Sequence, residues 1–219
     1  MKKISLLLAL SFCFLATAFA ADAPKDNLAS GLKFKDAYTI VSEKNLYTGV
    51  LPLNEGGTIN AVIAIPAGTT PKWEVDERTG GLSIELRDGK PRVINYLGYP
   101  GNFGIVPRTV GNDKEVLAVL VLGDSVQRGA VVKAKIIGSI KLINTKNVET
   151  DKLIAVQEGS PLYQVNSLTE LDKKFPGVTT IIETWFTNYN GIGKMKSNGF
   201  DDVGRAQEIL ANGILNFKR

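Results

Sequence analysis

Two carboxylates one residue apart, Asp113 and Glu115, stand in the polar turn that opens the stretch Gly111 to Gly123, and the run Val116 to Leu122 behind them is unbroken apolar. On an extended chain, side chains two apart point the same way, so the pair is placed to share one hard cation held by oxygen ligands. A solvated turn ahead of a core strand gives the same local pattern. What the chain lacks narrows the chemistry further. It has no histidine, and its one cysteine, Cys13, falls in the N-terminal apolar segment. A Cys/His zinc site and a histidine base are excluded, and once that segment is removed so are a disulfide and a thiol nucleophile. Carboxylates, Lys, Arg, Tyr and oxygen-liganded metals remain. Lys72 and Glu74 alternate on a strand-like stretch and share one face, either as an ordinary surface ion pair or as a cation beside a base.

The elements that would position these groups follow from the patterning. Met1 to Ala20 reads as a secretory leader: Lys2 and Lys3, an apolar core from Ile4 to Leu15, then Ala18, Phe19 and Ala20, with cleavage after Ala20. The core is shorter than the roughly 20 residues of a membrane span, so the mature chain is expected to be exported, periplasmic or secreted, without membrane insertion. Without Lys2 and Lys3 it carries 24 basic and 22 acidic residues, a net charge of +2. That near balance, with no basic stripe, argues against nucleic acid as a partner. Residues 21–30 read as a disordered linker and 31–219 as one domain. Tyr38 to Val41, Tyr47 to Leu51 and Ile59 to Ile65 have strand composition, Leu82 to Leu86 alternates, and Gly138 inside an apolar run marks a bend or bulge. Ser167 is expected to cap a short helix that Pro176 and Gly177 end, followed by a helix over Val178 to Tyr189, a loop from Gly191 to Gly199, and a last helix opened by Asp201.

Several segments carry a family resemblance. INAVIAIPAGTTPKWEVD, from Ile59, is similar to a motif of the form VxEIPxxxxxKYEVD; YLGYPGNFGIVPRT resembles FYPxNYGFIPxT; and the Asp113 segment resembles an acidic DxDPxDVL signature. These are motifs of the family I soluble inorganic pyrophosphatases, and the likeness extends from Ile59 to the C-terminus. It implies an α+β fold: a small, bent, OB-like barrel of mainly antiparallel strands with helices packed outside. It also implies which residues would act. Lys72, Glu74, Tyr99, Lys152 and Tyr189 match phosphate-site positions, Asp113 matches a magnesium ligand, and Glu115 replaces an aspartate that activates water. An arginine of the phosphate site falls on Arg87 or Arg92, of which Arg87 is carried forward; a last metal ligand falls on Glu149, Thr150 or Asp151, of which Asp151 is carried forward.

The copy departs from the family where carboxylates should stand. Ala64 replaces a glutamate, Ala118 and Asn144 replace aspartates, Phe103 replaces a tyrosine, and Asn190 replaces the lysine of a Tyr-Lys pair. The expectation is an exported family member with a largely dismantled magnesium site. It would bind phosphate or pyrophosphate while hydrolysing little or nothing, with self-association left open. The alternative is a divergent but working magnesium-dependent diphosphatase. An unrelated barrel binding oligonucleotides or sugars is disfavoured by the charge and by the lack of an aromatic ladder.

Overall fold

The computed structural model describes residues 27–218; the leader and its cleavage site lie outside them. The strands are β1 Leu32–Asp36, β2 Thr39–Ser42, β3 Ile59–Ile65, β4 Trp73–Val75, β5 Leu82–Ile84, β6 Leu86–Arg87, β7 Lys90–Pro91, β8 Asn102–Ile105, β9 Ala118–Leu122, β10 Val131–Asn144, β11 Glu149–Gln157 and β12 Met195–Asp201. The helices are α1 Leu168–Lys174, α2 Val178–Asn188 and α3 Val203–Phe217. No helix among the described residues is long and apolar enough to cross a membrane.

The main sheet runs β11-β9-β8-β3-β10-β12, and β11 also pairs with β10. Five strands therefore close into a ring, with β12 added along β10. All pairings in the ring are antiparallel except β9 with β11. One long strand, β10, serves three neighbours because it bends. Its register against β11 slips between Ile136 and Gly138, and a Cβ on Gly138 would collide with Leu168 and the Asp201 carbonyl, so glycine lets α1 pack on the bend.

Strand alternation explains why the apolar runs are unbroken. Val62, Leu120, Leu122, Ile154 and Val156 belong to one core. Their sequence neighbours Ala61, Ile63, Val119, Val121 and Ala155 belong to a second, beneath Ala206, Ile209 and Leu210 of α3. Both faces are covered, as the apolar run predicts. Ser167 caps α1 by accepting from Glu170 N at 3.1 Å, and Trp185 and Phe186 are buried.

Several local expectations change. Tyr47 to Leu51 is a turn: Asn45 Oδ1 accepts from Tyr47 N and Thr48 N at 2.9 and 2.7 Å. Its strand-like composition serves burial instead, since Tyr47 and Val50 are in the core. The apolar run pairs only from Ala118. The stretch read as a loop after Gly191 contains β12, and Asp201 ends that strand, so the cap of α3 is Asp202, which accepts from Arg205 N at 2.9 Å. The linker is bound over its described part, with Ala29 N donating to the Arg128 carbonyl at 2.9 Å.

Candidate functional site

The mouth of the ring forms a cleft of about 340 Å³ between β3, β4, β8, β11, β12 and α2. Alternation on short strands supplies its charged walls. Lys72 and Glu74 both line it, as their spacing predicts, and their side chains form an ion pair. Lys72 Nζ also lies 3.8 Å from Glu85. Behind it, Arg92 Nη1 donates to both Glu85 oxygens at 2.8 and 2.6 Å, while Nη2 donates to Asn190 Oδ1 at 3.0 Å. Arg92 is therefore the arginine joined to the site's charge network. Arg87, carried forward from sequence, sits exposed on the two-residue strand β6. It lines a separate open hollow, which Arg92 and Tyr189 also border.

Aromatic rings build the wall beneath α2. Tyr189 stacks on Trp185 with centroids 4.5 Å apart, and Tyr99 packs against Trp185 and Phe103 at 4.3 and 5.1 Å. Trp185 Nε1 donates to the Leu97 carbonyl at 2.9 Å, which fixes the wall to the tyrosine loop. Burial, with Tyr189 close by, pushes the Tyr99 hydroxyl pKa far up, so this phenol acts only as a neutral hydrogen-bonding group.

Lys152 projects from β11 into the cleft. The residue as a whole is partly buried, but its ammonium lies deep enough that burial pushes its pKa down. Lys72 adds to this, while Asp113 opposes it. Among the described residues the Lys152 side chain makes no hydrogen bond or ion pair.

The acids are divided. Glu115 and Glu77 line the cleft with Glu74. Burial and repulsion from Glu115 raise the pKa of Glu77, countered by a hydrogen bond to Tyr47. The Tyr47 hydroxyl is also 3.3 Å from the Thr109 carbonyl. Asp113 and Asp151, by contrast, line a small adjoining cavity of about 50 Å³ with Glu149 and Arg205, with Lys152 and Thr150 as the partition. The expected Asp113–Glu115 pairing fails because the two are in a turn, with Lys114 left-handed at φ 70° and Asp113 Oδ1 accepting from Glu115 N at 3.2 Å. Asp151 misses the cleft because it alternates with Thr150 and Lys152 on β11. Burial, then Glu149 and Asp201, raise its pKa.

A magnesium cage needs several converging oxygens, and this donor set does not fit one. Ala64 and Ala118 line the cleft with methyl groups. Asn144 Oδ1 is used locally, accepting from Lys146 N and Val148 N at 2.8 and 3.1 Å to close the β10–β11 loop. No cluster of three or more metal-ligating side chains occurs among the described residues. The structure thus gathers Lys72, Glu74, Tyr99, Glu115, Lys152 and Tyr189 around one cleft, sets Asp113 and Asp151 behind its wall, and leaves Arg87 outside. Glu77 and Glu85 escaped the sequence reading as members of the site, and Arg92 stood in it only as the alternative to Arg87. Of these only Arg92 had a signal, its place ahead of the tyrosine loop.

A family profile described as inorganic pyrophosphatase matches residues 61–218. An inorganic pyrophosphatase from Leifsonia xyli is 31% identical over 168 residues, covering 73% of this chain and 95% of the relative. One from Drosophila melanogaster is 28% identical over 87% of this chain, which spans only 64% of that longer relative. The crystal structure of the type I inorganic pyrophosphatase from Toxoplasma gondii superposes with a TM-score of 0.76 at 22% identity, covering 87% of this chain and 96% of that one.

Proposed function

The chain belongs to the inorganic pyrophosphatase family, and from that premise we propose that it is an exported member that binds phosphate or pyrophosphate and hydrolyses pyrophosphate weakly or not at all. One observation carries the loss of hydrolysis. The positions where family carboxylates are expected, Ala64 and Ala118, are methyl-lined parts of the cleft, and Asn144 spends its carbonyl on a turn. Magnesium in such a site would neutralise phosphate charge and lower the pKa of a bound water; this chain offers too few converging oxygens to hold it for that work. The residues themselves retain the grip on an anion. Lys152 presents an unpaired ammonium, Lys72 a partly paired one, and Tyr189 and Thr150 add hydroxyls at the same cleft. Export is supported by the leader-like residues 1–20.

The second reading, a divergent but working magnesium-dependent diphosphatase, draws on Glu77 and Glu115, two carboxylates close enough to repel one another at the mouth. The deciding experiment is phosphate release from pyrophosphate by the purified mature chain with magnesium or manganese, beside calorimetric binding of phosphate without metal. Binding without turnover is expected. Brisk metal-dependent turnover that Glu115→Gln abolishes would establish the second reading.

A further inference from the structure

The charged lining of the cleft is two lysines and three acids, Glu74, Glu77 and Glu115. Its cationic lining among the described residues is Lys72 and Lys152, and Lys72 is already engaged by Glu74 and Glu85. Arg92 is held by Glu85 and Asn190 and opens to the neighbouring hollow instead. One free ammonium, two residues from Thr150 on β11 and in a cleft that Tyr189 also lines, suits a single phosphoryl head. Around it the lining is apolar: Leu142 on β10 is the cross-strand partner of Thr150, Ala118 is on β9 beside β11, and Ala64, Phe103, Ile105 and Met195 complete it. A second phosphoryl group placed there would be stripped of water with no donor to replace it, which is costly for a charged group. An apolar group placed there would gain by leaving water. The volume of about 340 Å³ is also within the range of pockets that enclose small organic ligands.

Resting on the reading of this cleft as an anion site, we infer that its preferred ligand is a phosphomonoester of an apolar alcohol, with the phosphate at Lys152 and the organic group over Ala118, Leu142 and Met195. The preference over a carboxylate with the same apolar body comes from the number of donors. A phosphate presents three terminal oxygens to the donors that line the cleft, Lys152, Thr150 and Tyr189, whereas a carboxylate presents two.

The test is calorimetric titration of the mature chain, in the presence of a metal chelator, with inorganic phosphate, pyrophosphate, phenyl phosphate and phenylacetate. Phenyl phosphate is expected to bind at least tenfold tighter than each of the others. Met195→Gln and Ala118→Ser should each cut the ratio of phenyl phosphate to inorganic phosphate affinity several-fold while the protein melts cooperatively. Lys152→Met should weaken both phosphates together. A flat ratio, tighter binding of pyrophosphate, equal binding of phenylacetate, or a ratio unmoved by both floor variants would overturn this inference and leave the anion site standing. If inorganic phosphate, pyrophosphate and phenyl phosphate all fail to bind, the anion site itself is refuted with it.

Discussion

Arg92 donates through Nη2 to Asn190 Oδ1 at 3.0 Å, tying the segment before the tyrosine loop to the end of α2. Where the family resemblance places a lysine, this chain has a neutral acceptor that Arg92 uses. Asn190→Lys would replace that acceptor with a second cation against the guanidinium. The loss is expected to be about 1 kcal/mol, seen as a fall in Tm of roughly 2–4 °C without phosphate, and shrinking when phosphate is added. An unchanged or higher Tm without phosphate would show that this contact carries no weight.

Lys152 trades stability for binding. A buried ammonium without a partner opposes folding, so Lys152→Met should raise the stability of the ligand-free protein by about 1 kcal/mol while weakening phosphate binding. Because the folded pKa of Lys152 lies below its ordinary 10.5, the unfolded chain binds more protons in the interval between the two values. Its contribution to stability therefore rises as pH rises through that interval. Thermal melts of wild type and Lys152→Met across alkaline pH check this; the gap between them should close toward high pH.

Glu77 has the opposite sign. Its folded pKa is above the ordinary 4.5, so the folded state holds the proton more tightly, and stability falls as pH rises from the unfolded value through the folded one. At neutral pH, Glu77→Gln removes the repulsion from Glu115. Because the residue is largely open to solvent, the gain is expected to stay below about 1 kcal/mol. The difference in Tm from wild type should vanish at acid pH, below the ordinary value of 4.5, where Glu77 is neutral in the folded and unfolded chain alike. A difference that persists there would point to packing rather than charge.

Much of this arrangement was legible in the sequence, and what was not has a physical reason. Ile59–Ile65, the bend at Gly138 and the shared face of Lys72 and Glu74 are local consequences of period-2 alternation, which short segments reveal. The fate of Asp113, Glu115 and Asp151 depends instead on how a turn closes and on the register of β11 against β10, where Asp151 pairs with Lys141. That pairing decides among Glu149, Thr150 and Asp151 in favour of Thr150 as the residue facing the cleft. Glu77 and Glu85 arrive from turns and short connections, which carry no periodic signal. The choice between Arg87 and Arg92 was a matter of chain path, not of composition.

Restoring one carboxylate should not restore hydrolysis. Ala118→Asp alone is expected to remain inactive, since groups that hold a cation as a unit fail together. Ala64→Glu, Ala118→Asp and Asn144→Asp combined should give measurable magnesium-dependent phosphate release. Because Asn144→Asp keeps a side-chain oxygen to accept from Lys146 N and Val148 N, the β10–β11 loop is expected to survive the change. Appreciable rescue by Ala118→Asp alone would mean that the existing acids were already nearly sufficient.

Since β11 hydrogen-bonds to β9 on one side and β10 on the other, no strand of the five-membered ring has a free edge along which to slide. The ring-borne walls of the cleft therefore behave as a rigid cradle, and breathing of the ligand chamber is confined to what is hung on it: α2 with its stacked Trp185 and Tyr189, β12, and the β4 segment that carries Lys72 and Glu74. Amide exchange at Leu153 to Val156 should be limited by global unfolding, while ligand-dependent protection concentrates at the carboxyl end of α2.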